Sequence, residues 1–122
     1  MRLARIVACL TLATSGFAAT HSWAQVVINT PQTTPEVISN GDALTVTATG
    51  AVTVSNDTAV EFVTIDITGD ILINGTVKTT STSETDHGID LIGVGVDGSI
   101  TINGTVEAAT GDAIDIQTFG KT

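Results

Sequence analysis

Gly69-Asp-Ile-Leu-Ile-Asn-Gly-Thr-Val77 returns 29 residues later as Gly98-Ser-Ile-Thr-Ile-Asn-Gly-Thr-Val106. In both copies aliphatic residues alternate with others, the period of a β-strand. A weaker copy, Gly50-Ala-Val-Thr-Val-Ser55, lies 19 residues before the first. A second element follows each of them: Ala59-Val-Glu-Phe62, then Gly88-Ile-Asp-Leu91, then Ala113-Ile-Asp-Ile116. Ala43-Leu-Thr-Val46 reads as a fourth copy of that element, since Gly41-Asp-Ala43 echoes Gly111-Asp-Ala113. The pattern G-x-[IV]-x-[IV], turn, small-[IV]-acid-apolar thus recurs in units of 19, 29 and about 22 residues. The variable length sits in the polar Thr/Ser run 78–87, which reads as a loop.

Two architectures fit these strands. Asn74-Gly75 and Asn103-Gly104, each set between β runs, are the sequence signal of a two-residue hairpin, which would give an antiparallel meander or sandwich. The other is a single-stranded parallel β-helix (β-solenoid) of about three to four coils, in which equivalent residues of successive units stack. We favour the β-helix, because whole units repeat while one connecting loop varies in length. Asn-Gly is then a corner, with glycine supplying positive φ. The expected interior places Val52/Val54 in one ladder with Ile71/Ile73 and Ile100/Ile102. A second ladder holds Leu44/Val46, Val60/Phe62, Ile89/Leu91 and Ile114/Ile116, while Val77 meets Val106 and Ile65/Ile67 meet Val94/Val96. No segment after Gln25 has a helical period, so the fold class is all-β.

The N-terminus has a different character. Arg2 and Arg5 precede a short apolar run, residues 6–13, too short for a span of about 30 Å of hydrocarbon. Ser22-Trp-Ala24 then offers small residues at the −3 and −1 positions. Basic, apolar and small-x-small in that order describe a secretory signal peptide over 1–24, cut after Ala24. A cut after Ala19 is the poorer alternative, since it puts Phe17 at −3. Residues 25–40 follow as an N-terminal cap or linker, and 41–122 as the repeats.

Composition narrows the function. The 122-residue chain carries 4 Lys+Arg against 13 Asp+Glu, a formal charge of −9. Such a balance argues against nucleic acid, whose phosphates need clustered cations. Aromatic residues make up 3%, too few for a platform that stacks bases or sugars, and 42% hydrophobic residues are too many for a disordered acidic tail. Beyond residue 24 no cysteine remains, so no disulfide staples the mature chain, and no segment is long and apolar enough to span a membrane.

Runs such as Gly98-Ser-Ile-Thr-Ile-Asn-Gly-Thr-Val-Glu-Ala-Ala-Thr-Gly-Asp-Ala-Ile-Asp-Ile116 resemble the degenerate repeats of bacterial autotransporter passenger domains. The resemblance covers 41–119 and rests on paired NGT[VI] and [AG]IDx elements behind an export signal. It implies a right-handed parallel β-helix at the outer membrane or outer surface of a Gram-negative cell, or released from it, with a structural or adhesive role and no catalysis. A passenger also needs a C-terminal membrane barrel of many amphipathic strands, and none lies within these 122 residues. The chain then reads as the N-terminal part of a longer passenger. The alternative is a small secreted or periplasmic β-protein that self-associates through an open coil end. A surface ligand or a second copy is the expected partner.

The chemistry on offer is sparse. Glu61, Asp90 and Asp115 share one register and would stack outward about 4.8 Å apart. Two such charges repel by roughly 0.9 kcal/mol in water, which a Ca²⁺ ion would offset. They are weak metal candidates, and the plainer reading is a solvated outer face. Asp86-His87 beside Asp90 could orient a base or bind a metal, but one His without Cys makes a poor structural zinc site, and it reads more simply as an exposed loop histidine. Ser81, Ser83 and Ser99 lie outside any nucleophile elbow. Carbohydrate-active enzymes also use parallel β-helices, yet with Arg or Lys beside their acids, and the mature chain keeps only Lys78 and Lys121. No catalytic residue and no cofactor are expected.

Overall fold

In the computed structural model the described residues are 24–39, 42–63, 66–92 and 95–117. Residues 1–23, on which the expected signal peptide falls, Gly41, Ile65, Val94 and the last five residues lie outside them. The described residues form strands and no helix, hence none long and apolar enough to cross a membrane. The strands run in four successive rows. Row one holds β1 (Gln25–Ile28), β2 (Pro31–Gln32) and β3 (Glu36–Ile38). Row two holds β4 (Ala43–Val46), β5 (Ala51–Val54), β6 (Val60–Phe62) and β7 (Asp66–Ile67). Row three holds β8 (Ile71–Ile73), β9 (Thr76–Thr79), β10 (Ile89–Asp90) and β11 (Gly95–Val96). Row four holds β12 (Ile100–Ile102), β13 (Thr105–Ala108) and β14 (Ile114–Asp115).

Each strand pairs in parallel with its counterpart in the next row. The result is three four-stranded sheets, β1-β4-β8-β12, β2-β5-β9-β13 and β3-β6-β10-β14, and the pair β7-β11. Every ladder among the described residues is parallel, which overturns the antiparallel meander. Asn74-Gly75 and Asn103-Gly104 are therefore corners between sheets and not hairpin turns. Parallel strands in stacked sheets are compatible with a β-solenoid.

The register corrects half of the expected interior. Ile71/Ile73 lie under Ile100/Ile102 and Val77 under Val106, as the repeats imply. Val60, Ile89 and Ile114 share a ladder, and Ile67 meets Val96. Val52 and Val54, however, lie under Val77 and Thr79 rather than beside Ile71 and Ile73. Leu44 and Val46 occupy that place, beneath Ile71 and Ile73 and above Val26 and Ile28. The counterpart of β6 in row one is β3, with Ile38 matched to Phe62. Residues 25–38, read from sequence as a cap or linker, supply a strand to each of the three sheets.

Glycine explains the shift. A Cβ on Gly75 would fall 2.1 Å from the Gly50 carbonyl oxygen, and one on Gly104 would fall 2.0 Å from that of Gly75. Gly50, Gly75 and Gly104 thus form one column of close backbone approach, so Gly50-Ala-Val-Thr-Val54 is the homologue of Gly75-Thr-Val-Lys-Thr79. None of these glycines has a positive φ. The corner needs a residue without a side chain, not the left-handed conformation expected from Asn-Gly.

Alternation buries one face of each strand. Leu44, Val46, Val52, Val60, Ile71, Ile73, Val77, Ile89 and Leu91 are buried into one continuous cluster. Thr79 replaces an aliphatic residue there. Its hydroxyl donates to the Asp57 carbonyl at 2.7 Å and accepts from the Ser81 N–H at 3.2 Å, so the polar group is satisfied. Row four is different: Ile73 is fully covered, but its partner Ile102 is 40% exposed, and Ile116 is 49% exposed.

This contrast sets an expected outcome. Ile73→Ala should lower the unfolding free energy by about 2–5 kcal/mol, the usual loss for a fully buried aliphatic. Ile102→Ala, at the same repeat position, should cost about 1 kcal/mol or less, because much of its surface already meets water. Urea denaturation of the two variants checks this, and equal losses would mean that row four is as well covered as row three.

Candidate functional site

The acidic register is real. Asp90 pairs with Glu61 on one side and with Asp115 on the other, and Val37 extends the column into row one. Glu61 is exposed, while Asp90 and Asp115 are half-buried. Each of the latter two carboxylates is drawn to a neighbour in its own row. Asp90 Oδ1 accepts the Ile92 N–H at 2.9 Å, and Asp115 Oδ2 accepts from Gln117 Nε2 at 3.1 Å. The acids are stacked without converging on one point.

His87 is the unexpected member. The loop reading made it exposed, but it is buried, at 7% exposure. Its ring lies between rows three and four. Nδ1 accepts the Asp112 N–H at 3.2 Å, and Nε2 lies 3.5 Å from Asp115 Oδ2. Its backbone is held as well: the N–H donates to Thr58 Oγ1 at 3.0 Å, and the carbonyl accepts from Ala59 N at 3.0 Å. Asp86, the neighbour expected to orient a base, instead accepts the hydroxyl of buried Ser81. Asp112 and Asp115, which no sequence argument tied to His87, are its partners. The signal was present: aligning Gly88-Ile-Asp90 with Ala113-Ile-Asp115 sets His87 over Asp112.

His87, Asp112 and Asp115 each offer one ligand atom, all within 4.8 Å of one another. The hydrogen bonds decide what that group does. With Nδ1 accepting from a peptide N–H, the neutral ring carries its proton on Nε2, pointed toward Asp115. A cation on Nε2 requires the other tautomer, which would set an Nδ1–H against the Asp112 N–H. The geometry is that of a histidine locking the corner of row three to row four. Of the acids named from sequence, Asp115 belongs to this cluster, and Glu61 and Asp90 do not.

Two other contacts cross the same rows. Asp70 Oδ1 accepts both the Ser99 N–H and the Ser99 hydroxyl, each at 2.8 Å. These bonds, the backbone one first, hold the Asp70 carboxyl below its ordinary value. Lys78 Nζ meets Glu107 Oε2 at 2.9 Å across an exposed face, a contact worth at most about 1 kcal/mol. Comparison with known protein families, with curated proteins and with solved structures finds no match for this chain.

Two outcomes follow from the geometry. A carboxyl whose folded pKa is depressed adds stability above its unfolded pKa, and that gain fades as pH falls through the folded value. Wild type should therefore exceed Asp70→Asn in stability at about pH 6, with the gap closing toward about pH 2. Chemical denaturation at the two pH values measures it, and a pH-independent gap would refute the assignment. Separately, calorimetric titration of the folded chain with Ca²⁺ should show no saturable heat. Saturable heat that disappears in Asp115→Asn would establish a cation site against the tautomer argument.

Proposed function

We propose that the chain is an exported, non-catalytic β-solenoid module of a Gram-negative cell surface, the N-terminal part of an autotransporter-like passenger. In this reading each row of strands is one coil of a right-handed, single-stranded parallel β-helix, and residues 1–24 are its signal peptide. The observation that carries it is the unbroken parallel register, with NGT[V] over NGT[V] and [AG]ID over [AG]ID. That is the stacking the passenger-like repeats imply. The outward faces repeat as well: Ala51, Thr76 and Thr105 form one column, and Thr53, Lys78 and Glu107 another. Such columns suit a spacer or an adhesive surface, where many weak, evenly spaced contacts add up. Ser81 and Ser99 hydroxyls are committed to Asp86 and Asp70, which favours a structural role for both.

A second reading is favoured by one feature. Ile102 in β12 and Ile116 just after β14 are exposed aliphatics of row four, whose strands have no further pairing among the described residues, and such edges template association. The chain would then be a small secreted or periplasmic protein that binds its own copies.

Expression of the full chain in a Gram-negative host tests both. Export predicts a product that begins at Gln25 and lies outside the cytoplasm, and an uncleaved cytoplasmic product would overturn export. Fused ahead of an outer-membrane barrel, the chain should be degraded by protease added to intact cells, and protection there would overturn surface display. Sedimentation of the purified product as a monomer supports the module reading, and concentration-dependent oligomers support self-association.

A further inference from the structure

We propose that Asn103-Gly104 is a site of spontaneous, succinimide-mediated modification, and that the identical Asn74-Gly75 one row below is shielded from it. The inference rests on hydrogen bonds and burial alone and is independent of the functional reading. Both motifs sit in the same local sequence, Ile-Asn-Gly-Thr-Val, so their intrinsic reactivity is the same. What differs is the row above.

The chemistry needs only water. The Gly104 peptide nitrogen attacks the Asn103 side-chain amide carbon, and a C–N bond forms. The amide nitrogen leaves as ammonia, taking the proton from the Gly104 N–H. Water then opens the cyclic imide at either carbonyl, leaving aspartate or isoaspartate. The attacking nitrogen must first be released from its own hydrogen bond, and the Asn side chain must be free to turn toward it.

The two motifs meet these conditions unequally. Gly104 N donates to the Ile73 carbonyl at 2.9 Å, and Gly75 N donates to that of Val46 at 3.2 Å, so both nitrogens begin engaged. The bond from Asn103 Nδ2 to Asn74 Oδ1, at 2.9 Å, restrains both side chains. The lower motif is restrained further, since the Gly75 carbonyl accepts the Thr105 N–H at 2.9 Å. Gly75 is buried and Asn74 half-buried, with Gly104 packed directly over the Gly75 carbonyl. Asn103 and Gly104 are both exposed, and no strand pairs with row four from the far side among the described residues. Opening at Asn103 therefore breaks one backbone bond and the side-chain bond it shares with Asn74, while opening at Asn74 breaks their counterparts and also requires lifting row four. Local opening follows such differences in hydrogen bonding and burial.

The product also matters to the fold. Isoaspartate at residue 103 adds one carbon to the main chain between Ile102 and Gly104. That displaces β13 from its register over β9 and loosens the terminal row. The motif is thus an ageing point at the least covered row, and anything stacked on row four would protect it.

The test is peptide mapping by mass spectrometry after incubating the purified chain in mildly alkaline buffer. The folded protein should gain about one mass unit at Asn103 roughly tenfold or more faster than at Asn74, from the additional hydrogen bonds that restrain the latter. In concentrated urea the two should react at the same rate. Equal rates in the folded protein, or faster reaction at Asn74, would overturn the proposal. So would a tenfold difference that persists in urea, since it would then owe nothing to the fold.

Discussion

Neighbouring strands lie about 4.8 Å apart, and the rest of the molecule conforms to that spacing. Inside, it sets aliphatic on aliphatic, so Val26, Leu44, Ile71 and Ile100 form one column. At the corner between the first two sheets it brings one backbone so close to the next that only glycine fits, at Gly50, Gly75 and Gly104. Outside, it places each surface side chain beside its repeat equivalent. Identical charges then repel, as along Glu61, Asp90 and Asp115, and complementary groups pair, as Lys78 does with Glu107.

Strand period, parallel stacking and the match of residues 69–77 with 98–106 were all legible, because two nearly identical segments can satisfy the same surroundings only by occupying equivalent places. The misassigned parts are those where the pattern is degenerate. Gly-x-Val-x-Val fits the first strand of a row and the second equally well, so Gly50-Ala-Val-Thr-Val54 was matched to residues 69–73 and not to 75–79. What separates the two is the chain's distance from the backbone beneath it, a three-dimensional property with no one-letter signature. Row one lacks glycine altogether and contains Pro31 and Pro35, which hides its strands. Pro31 is admitted because β2 is the first strand of its sheet and pairs on one side only.

The histidine shows a different limit. Polar residues throughout make 78–87 read as a solvated loop, but Lys78 and Thr79 complete β9 and only half of that run is exposed. Burial of His87 comes from two rows closing on it. Thr58 in row two takes its N–H, and Asp112 and Asp115 in row four meet its ring. An imidazole with one acceptor and one donor nitrogen can bridge a peptide N–H and a carboxylate at once, which no aliphatic residue at that corner could do. The long loop is therefore anchored at its end by an interaction between rows, and its length can vary without disturbing the ladders on either side.

Row four is held by a balance that the inner rows do not need. Ile102 and Ile116 stay roughly half exposed, forgoing on the order of 1 kcal/mol each relative to full burial. Against that loss stand polar contacts reaching back to row three. Ser99 binds Asp70 twice, Asn103 binds Asn74, and Glu107 binds Lys78. These contacts tie the outer side chains of the last row to row three, and the row keeps its register while its interior edge remains accessible. An edge that is ordered without being covered can accept another strand with little further ordering of the row itself, whichever chain that strand comes from.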